Sequence, residues 1–161
     1  MRGSRGFPNL VDNDWLYPGT PDGIKTTIME GRNGVMPPFA GTLKPDQITD
    51  AAQYVLSLSG RSTVPAAVGR GESTFKQVCA ACHGQDGKGN VALGAPNLTD
   101  NIWLYGGSLT TIVETLTTGR QGHMPAQKDV LGEARVHLLA AYVYSQAQEQ
   151  AQSQPQSNRT P

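Results

Sequence analysis

The sequence lacks a surplus of charge of either sign, because 13 lysine and arginine residues balance 13 aspartate and glutamate residues. A net charge of zero gives no electrostatic reason to expect a nucleic-acid partner. No run approaches the roughly 20 apolar residues of a transmembrane helix, and residues 1–10 lack the apolar core of a signal peptide. We therefore expect this chain alone to carry no export signal.

Apolar residues are also few, at 37% of the 161 residues, whereas glycine (19) and proline (11) are plentiful. The length allows one domain or two small ones. This composition predicts a loop-rich domain with a modest core, of a kind that a prosthetic group can complete.

Cysteine is scarce, since Cys79 and Cys82 are the only two and both lie in the motif CAACH. A structural zinc site needs four ligands, and His123 and His137 do not have zinc-finger spacing. A thioredoxin-like pair needs strand–helix–strand alternation around it, which is missing here. A disulfide between Cys79 and Cys82 would close a very small loop.

The motif CAACH is instead typical of covalent attachment of a c-type haem. One helical turn places both sulfurs and the imidazole of His83 on the same side of the backbone. Two thioether bonds then hold the porphyrin while His83 ligates the iron. A coincidental match, or a thiol or metal site without haem, stays open as an alternative.

A second axial ligand is predicted about forty residues downstream, in the segment GHMP. Methionine commonly fills this position and raises the reduction potential. Met124 lies between glycine and proline in a predicted non-helical loop that could direct its thioether at the iron. His123 is the rival ligand and would lower the potential.

Two helices are expected to enclose this haem. The first carries Val68, Gly71, Phe75 and Val78 on one face, and the second carries Val136, Leu139, Ala140 and Val143 on another. Glycine inside a helix costs roughly 1 kcal/mol relative to alanine. We therefore expect Gly71 to mark a close crossing, with Tyr142 or its neighbours packed over it.

Residues 67–147 resemble a class I cytochrome c domain through an ordered set of motifs. The set comprises Gly71 and Phe75, CAACH, GAPNL, GHMP and an aromatic-bearing last helix. The resemblance implies an all-α fold wrapped around one covalent haem c. It also implies that the carbonyl of Pro96 accepts the Nδ1 proton of His83, and that Trp103, Tyr105 and Arg120 contact the haem propionates.

The sequence also contains a repeat. With a shift of 88 residues, Pro8–Pro37 aligns without gaps on Pro96–Pro125, and sixteen of the thirty positions are identical. The register continues from Ala52, Tyr54 and Val55 to their copies in the last helix. The repeat indicates a duplicated domain.

Tandem domains with the DNxWLY motif resemble the dihaem subunit III (CcoP) of cbb3-type cytochrome c oxidases. That family has a membrane anchor followed by two periplasmic haem c domains, and it delivers electrons to the catalytic subunit. The resemblance implies partnership with other oxidase subunits and a donor cytochrome c. The anchor, the first CxxCH and the second haem are then expected upstream of Met1.

We accordingly predict a partial cytochrome c domain without CxxCH (1–60), a linker (61–66), a complete domain (67–147) and a disordered tail (148–161). A helix is predicted to begin at Asp46 and to end at Gly60. Its apolar face would lack the helix and the porphyrin against which it is expected to pack in a complete domain. Either half could clasp the haem peptide, and loop-closure entropy favours 96–147. Exchange between two copies would give a domain-swapped dimer.

The sequence is compatible with three functions. The first is electron transfer within the oxidase, in a subunit that is not itself an enzyme. The second is a soluble dihaem electron carrier. The third is a haem-based sensor or peroxidase in which the methionine leaves the iron.

Overall fold

Helices are the main regular structure in this protein. A computed structural model describes residues 2–153. In chain order the elements are α1 (Pro21–Glu30), β1 (Arg32–Met36), α2 (Pro45–Leu58), α3 (Pro65–Thr74), a π-helical turn (Phe75–Cys79), α4 (Ala80–His83), α5 (Leu109–Thr118), β2 (Arg120–Met124) and α6 (Lys128–Ser153). No helix in the described range is apolar enough over a sufficient length to cross a bilayer.

The repeat is visible in the way that α1 and α5 begin and end. The hydroxyls of Thr20 and Ser108 each accept a hydrogen bond from the backbone N–H three residues later, which satisfies a donor that the first turn leaves free. Gly31 and Gly119 follow the two helices with φ values of 69° and 71°, a conformation that glycine adopts without strain. Equivalent sequences therefore form equivalent helices.

One compact unit comprises residues 33–123. Helices α2 and α3 pack against each other, and α5 packs on α2. Phe75 is fully buried at the centre of this core, where its ring lies 5.1 Å from that of Tyr54, centroid to centroid. The buried members of this core are Ile48, Ala51, Ala52, Val55, Leu56, Phe75, Cys79, Ala80, Ile112 and Leu116.

The other compact unit combines residues 1–32 with the segment that begins at Met124. Here α1 packs against α6. Its buried core is small and consists of Ile24, Ile28, Val136, Ala140 and Val143. Helix α6 is interrupted at Gly132, whose φ of 71° and ψ of 161° are not helical.

These units divide the chain differently from the predicted domains 1–60 and 67–147, which follow the repeat. Within the unit 33–123, α3 packs against α2, which belongs to the first copy. Gly71, which was expected to pack under Tyr142 or its neighbours, lies against the backbone of Asp50 in α2. Only residues 59–64 separate α2 from α3, and helices joined by so short a connection pack together readily.

Two local features also depart from the sequence analysis. β1 and β2 pair in a two-stranded sheet, where an all-α fold was expected. α6 continues to Ser153, so residues 148–153 are helical where disorder was predicted, in keeping with the good helix propensity of glutamine, alanine and glutamate. Residues 154–161 lie outside the described range.

Candidate haem site

The two cysteines and His83 lie on one nearly continuous helical segment. The π-helical turn Phe75–Cys79 connects α3 to α4, which ends at His83. Cys79 and His83 are 7% and 8% exposed, whereas Cys82 is exposed. π-helical turns occur frequently at functional sites because they redirect the side chains that follow. This one precedes CAACH directly.

A single hydrogen bond orients the imidazole of His83. Its Nδ1 lies 3.1 Å from the carbonyl oxygen of Pro96, the contact that the resemblance implies. Gly89 permits this approach, because a Cβ there would lie 2.7 Å from the same oxygen and its φ is 82°. With Nδ1 engaged, Nε2 is the nitrogen that can ligate a metal.

Burial sets the protonation of both groups. It lowers the pKa of His83, against the smaller opposing effect of the hydrogen bond to Pro96, so the ring stays in the neutral form that binds metals. Burial also raises the pKa of Cys79 to about 11, with a further contribution from Cys82. A thiol of this kind is protonated at neutral pH.

Trp103, Tyr105 and Arg120 lie in the same unit as His83. The guanidinium carbon of Arg120 lies 4.8 Å from the centre of the Tyr105 ring, which is within the range of cation–π attraction. Its Nε donates to the hydroxyl of Thr115 at 3.0 Å, and its Nη1 donates to Glu114 at 3.2 Å. These contacts fix the guanidinium group in one orientation.

Two buried side-chain nitrogen atoms in the described part of the chain have no hydrogen-bond partner, namely Trp103 Nε1 and Arg120 Nη2. Buried donors without acceptors are costly and rare in folded proteins. Both are N–H donors from residues that the sequence associates with propionates, and propionate oxygens would accept from both. The residues present therefore fit a c-type haem.

The predicted methionine ligand and His83 belong to different units. Met124 falls in the unit that contains α6 and is 38% exposed. Met36, its copy in the repeat, belongs to the unit of His83 and packs against the core that includes Cys79. His123 is engaged elsewhere, since its Nδ1 lies 2.6 Å from Oδ1 of Asn33.

Two residues near this site were not among the predicted ones. In the sequence, Met36 was identified only as the methionine of a second methionine loop. The short connection between α2 and α3 was a signal for it, because α2 follows Met36 and a short connection favours packing of α2 against α3. Arg61 lies 5.9 Å from the Trp103 ring and donates to the carbonyl of Gly107. No sequence signal distinguishes Arg61 from other arginines.

Comparison with known proteins decides the family. The family model of cytochrome c oxidase, cbb3-type, subunit III matches residues 1–55 and 66–143. The chain belongs to this subunit III family. The match confirms the resemblance that the CAACH, GHMP and WLY motifs indicated, and places a mostly helical chain in a cytochrome c family.

Curated relatives of subunit III agree with this assignment. The chain is 51% identical over 148 residues to the cbb3-type cytochrome c oxidase subunit CcoP of Rubrivivax gelatinosus, covering 91% of this chain and 48% of that protein. It is 46% identical over 156 residues to subunit FixP of Bradyrhizobium sp. strain ORS 278, covering 89% and 53%. The chain thus spans about half the length of these subunit III relatives.

Proposed function

We propose that this chain transfers electrons through one covalently bound c-type haem, as part of the electron-entry subunit of a cbb3-type oxidase. The observation that carries the proposal is the CAACH segment, in which Cys79 and His83 are buried and the Pro96 carbonyl lies within hydrogen-bond distance of Nδ1 of His83. Cys79 and Cys82 would form the thioether bonds. The haem, when bound, supplies a one-electron couple at its iron.

For the second axial ligand Met124 stays the prediction from the sequence, and we propose Met36, its copy in the repeat, as the alternative. Support comes from the position of Met36 against the core that contains Cys79, in the same unit as His83. Histidine and methionine together fill both axial positions and raise the reduction potential. Such a site has no open position for a substrate, which favours electron transfer over catalysis.

For the propionates we propose Trp103 and Arg120 as the hydrogen-bond donors. Their Nε1 and Nη2 atoms are the buried donors that need acceptors. Tyr105 would act indirectly, because its ring lies under the guanidinium group of Arg120. A positive charge that is fixed in this way compensates a buried carboxylate more strongly than a mobile one.

The larger context is also a proposal, because the chain spans half of its relatives' length. We propose the other oxidase subunits and a donor cytochrome c as partners, and the periplasmic side of the inner membrane as the location. Residues 1–60 would be the back half of a first cytochrome c domain. The second haem would then belong to a longer chain that includes another CxxCH.

A domain-swapped dimer stays a prediction. Within one chain, α3 already packs against α2. The reason to expect a swap was that the helix now seen as α2 lacked a packing partner, and that reason no longer applies. Light scattering on the purified protein measures the mass directly. A mass of one chain contradicts the dimer, whereas a mass of two chains supports it.

The central test is haem stoichiometry in chain that has been directed through the haem-attachment machinery. We expect intact mass to show one haem per chain, a pyridine haemochrome spectrum typical of two thioether bonds, and reversible one-electron reduction. Free thiols at Cys79 and Cys82 would contradict the proposal. Rapid carbon monoxide binding to the reduced protein would instead support a sensor or peroxidase.

A further inference from the structure

The guanidinium group of Arg120 donates hydrogen bonds through three nitrogen atoms, and the protein occupies two of them. Nε donates to the hydroxyl of Thr115 at 3.0 Å, and Nη1 donates to Oε1 of Glu114 at 3.2 Å. Nη2 is buried and has no hydrogen-bond partner in the described part of the chain. One nitrogen is therefore left for a bound group, while the other two hold the side chain in place.

The two contacts that hold Arg120 are not equivalent. The hydroxyl of Thr115 is a neutral acceptor, whereas the carboxylate of Glu114 is charged, and charge-assisted hydrogen bonds are roughly twice as strong as neutral ones. Contacts at two different nitrogen atoms also fix the plane of the guanidinium group, which a single contact does not. Glu114 thus supplies the stronger contact and completes the orientation that Thr115 begins.

The ion pair between Glu114 and Arg120 extends from the protein surface towards the interior. The side chain of Glu114 is 49% exposed, whereas that of Arg120 is only 19% exposed. Water weakens an ion pair when both side chains are exposed, and the burial of Arg120 limits this weakening on one side. The pair can therefore hold the guanidinium group at Nη1 while Nη2 stays buried.

The repeat provides a natural comparison for this ion pair. Arg32, the copy of Arg120, also donates from Nε to a threonine hydroxyl and also lies over a tyrosine ring. The copy of Glu114 is Thr26, which carries no charge. The contact with a carboxylate at this position therefore distinguishes the arginine in the unit of His83 from its copy.

We propose that Glu114 is a positioning residue of the haem site, which holds Arg120 by Nη1 so that Nη2 is available to a haem propionate. This inference rests on the proposed function and adds to it a residue that acts through Arg120. Arg120 would then join two carboxylates, one from the protein and one from the haem. A guanidinium group fixed in this way compensates the propionate charge and thereby favours the ferrous state, which is the less positive one.

The direction of a change in reduction potential separates positioning from a simple charge effect. Removing the negative charge of Glu114 by itself favours the ferrous state, so a purely electrostatic role predicts a higher potential in Glu114→Ala. Loss of positioning weakens the compensation of the propionate and predicts a lower potential. At a fixed electrode potential we therefore expect Glu114→Ala to raise the ratio of ferric to ferrous haem by about twofold to fivefold, the range of a partly exposed ion pair.

Redox titration of the full haem-loaded chain measures this ratio in two backgrounds. In the Arg120→Gln background, which lacks the group that Glu114 holds, Glu114→Ala should no longer raise the ratio. The matched control is Glu72→Ala, which removes the acidic partner of Lys76 in an exposed ion pair on α3 and should not raise the ratio. An unchanged or lower ratio in Glu114→Ala would overturn the inference, and so would an equal rise in both backgrounds.

Hydrogen exchange at the Nε–H of Arg120 gives a second measurement that does not depend on the potential. Nuclear magnetic resonance on the ferrous protein follows this proton, and Arg120→Gln identifies its signal. Loss of the ion pair in Glu114→Ala should speed the exchange by about twofold to fivefold, and an unchanged rate counts against positioning. A chain that takes up no haem overturns the proposed function together with this inference, whereas a loaded chain that is insensitive to residue 114 overturns this inference alone.

Discussion

Gly71 of α3 lies directly against the backbone of Asp50 on α2. A Cβ at Gly71 would overlap the carbonyl oxygen of Asp50. Close approach of two helix backbones increases their packing contacts, and it is available only where a side chain is missing. This crossing positions the haem-peptide helix relative to the rest of its unit.

The variant Gly71→Ala should therefore destabilise the protein by about 1–3 kcal/mol, the usual cost of overpacking a close contact. Gly69→Ala is the matched control, because it lies on the same helix and a Cβ there has no neighbour within 4 Å among the described residues. That change should stabilise by up to about 1 kcal/mol through helix propensity. Urea denaturation followed by circular dichroism measures both, and equal effects would contradict the close crossing.

The two methionine loops can be distinguished by a matched pair of variants. If Met36 ligates the iron, Met36→Ala should abolish the charge-transfer band of the iron–thioether bond. The reduction potential should also fall by on the order of 100 mV, because a thioether stabilises the ferrous state. Met124→Ala should leave both unchanged. Redox titration with absorption spectroscopy makes the comparison, and the opposite pattern would restore Met124 as the ligand.

Arg120 has a natural control in its copy, Arg32. Each guanidinium group lies over a tyrosine ring and donates to a threonine hydroxyl, but only Arg120 shares a unit with His83. Removing a buried positive charge favours the more positive oxidised state. Arg120→Gln should thus lower the potential by roughly 50 mV and Arg32→Gln should not. Equal shifts would argue against propionate contact by Arg120.

The raised pKa of Cys79 predicts a pH dependence in the haem-free chain. The folded state holds the thiol proton up to a pKa of about 11, against a usual value of 9.0. The stabilisation from this proton is therefore complete below pH 9 and is lost as the pH rises from 9 to 11. Urea midpoints of the parent and Cys79→Ala chains should converge across that window.

Alkylation gives an independent measurement of the same property. At pH 8, iodoacetamide should modify the exposed Cys82 well before the buried Cys79, because only the thiolate reacts. Peptide mass spectrometry follows the two sites over time. Similar rates at both cysteines would mean that Cys79 is not buried in the haem-free chain.

The motif residues of this protein were predictable because they act over short distances. Cys79, Cys82 and His83 belong to one helical turn, and the Pro96 carbonyl reaches His83 through a loop whose glycines and proline are visible in the sequence. The family followed from the order of such motifs. The capping of α1 and α5 by Thr20 and Ser108 is equally local.

The choice between repeated segments was not local, and tertiary packing decided it. The sequence by itself determined the attachment motif, the repeat and the family, since each depends on residues close together in the chain. That Met36 shares a unit with His83 is a property of the folded chain, because residues 33–123 pack into one unit. The contacts of Asp50 with Arg70 and of Gln53 with Val64 join α2 to α3 and its start, and they become visible only when the two helices are placed side by side.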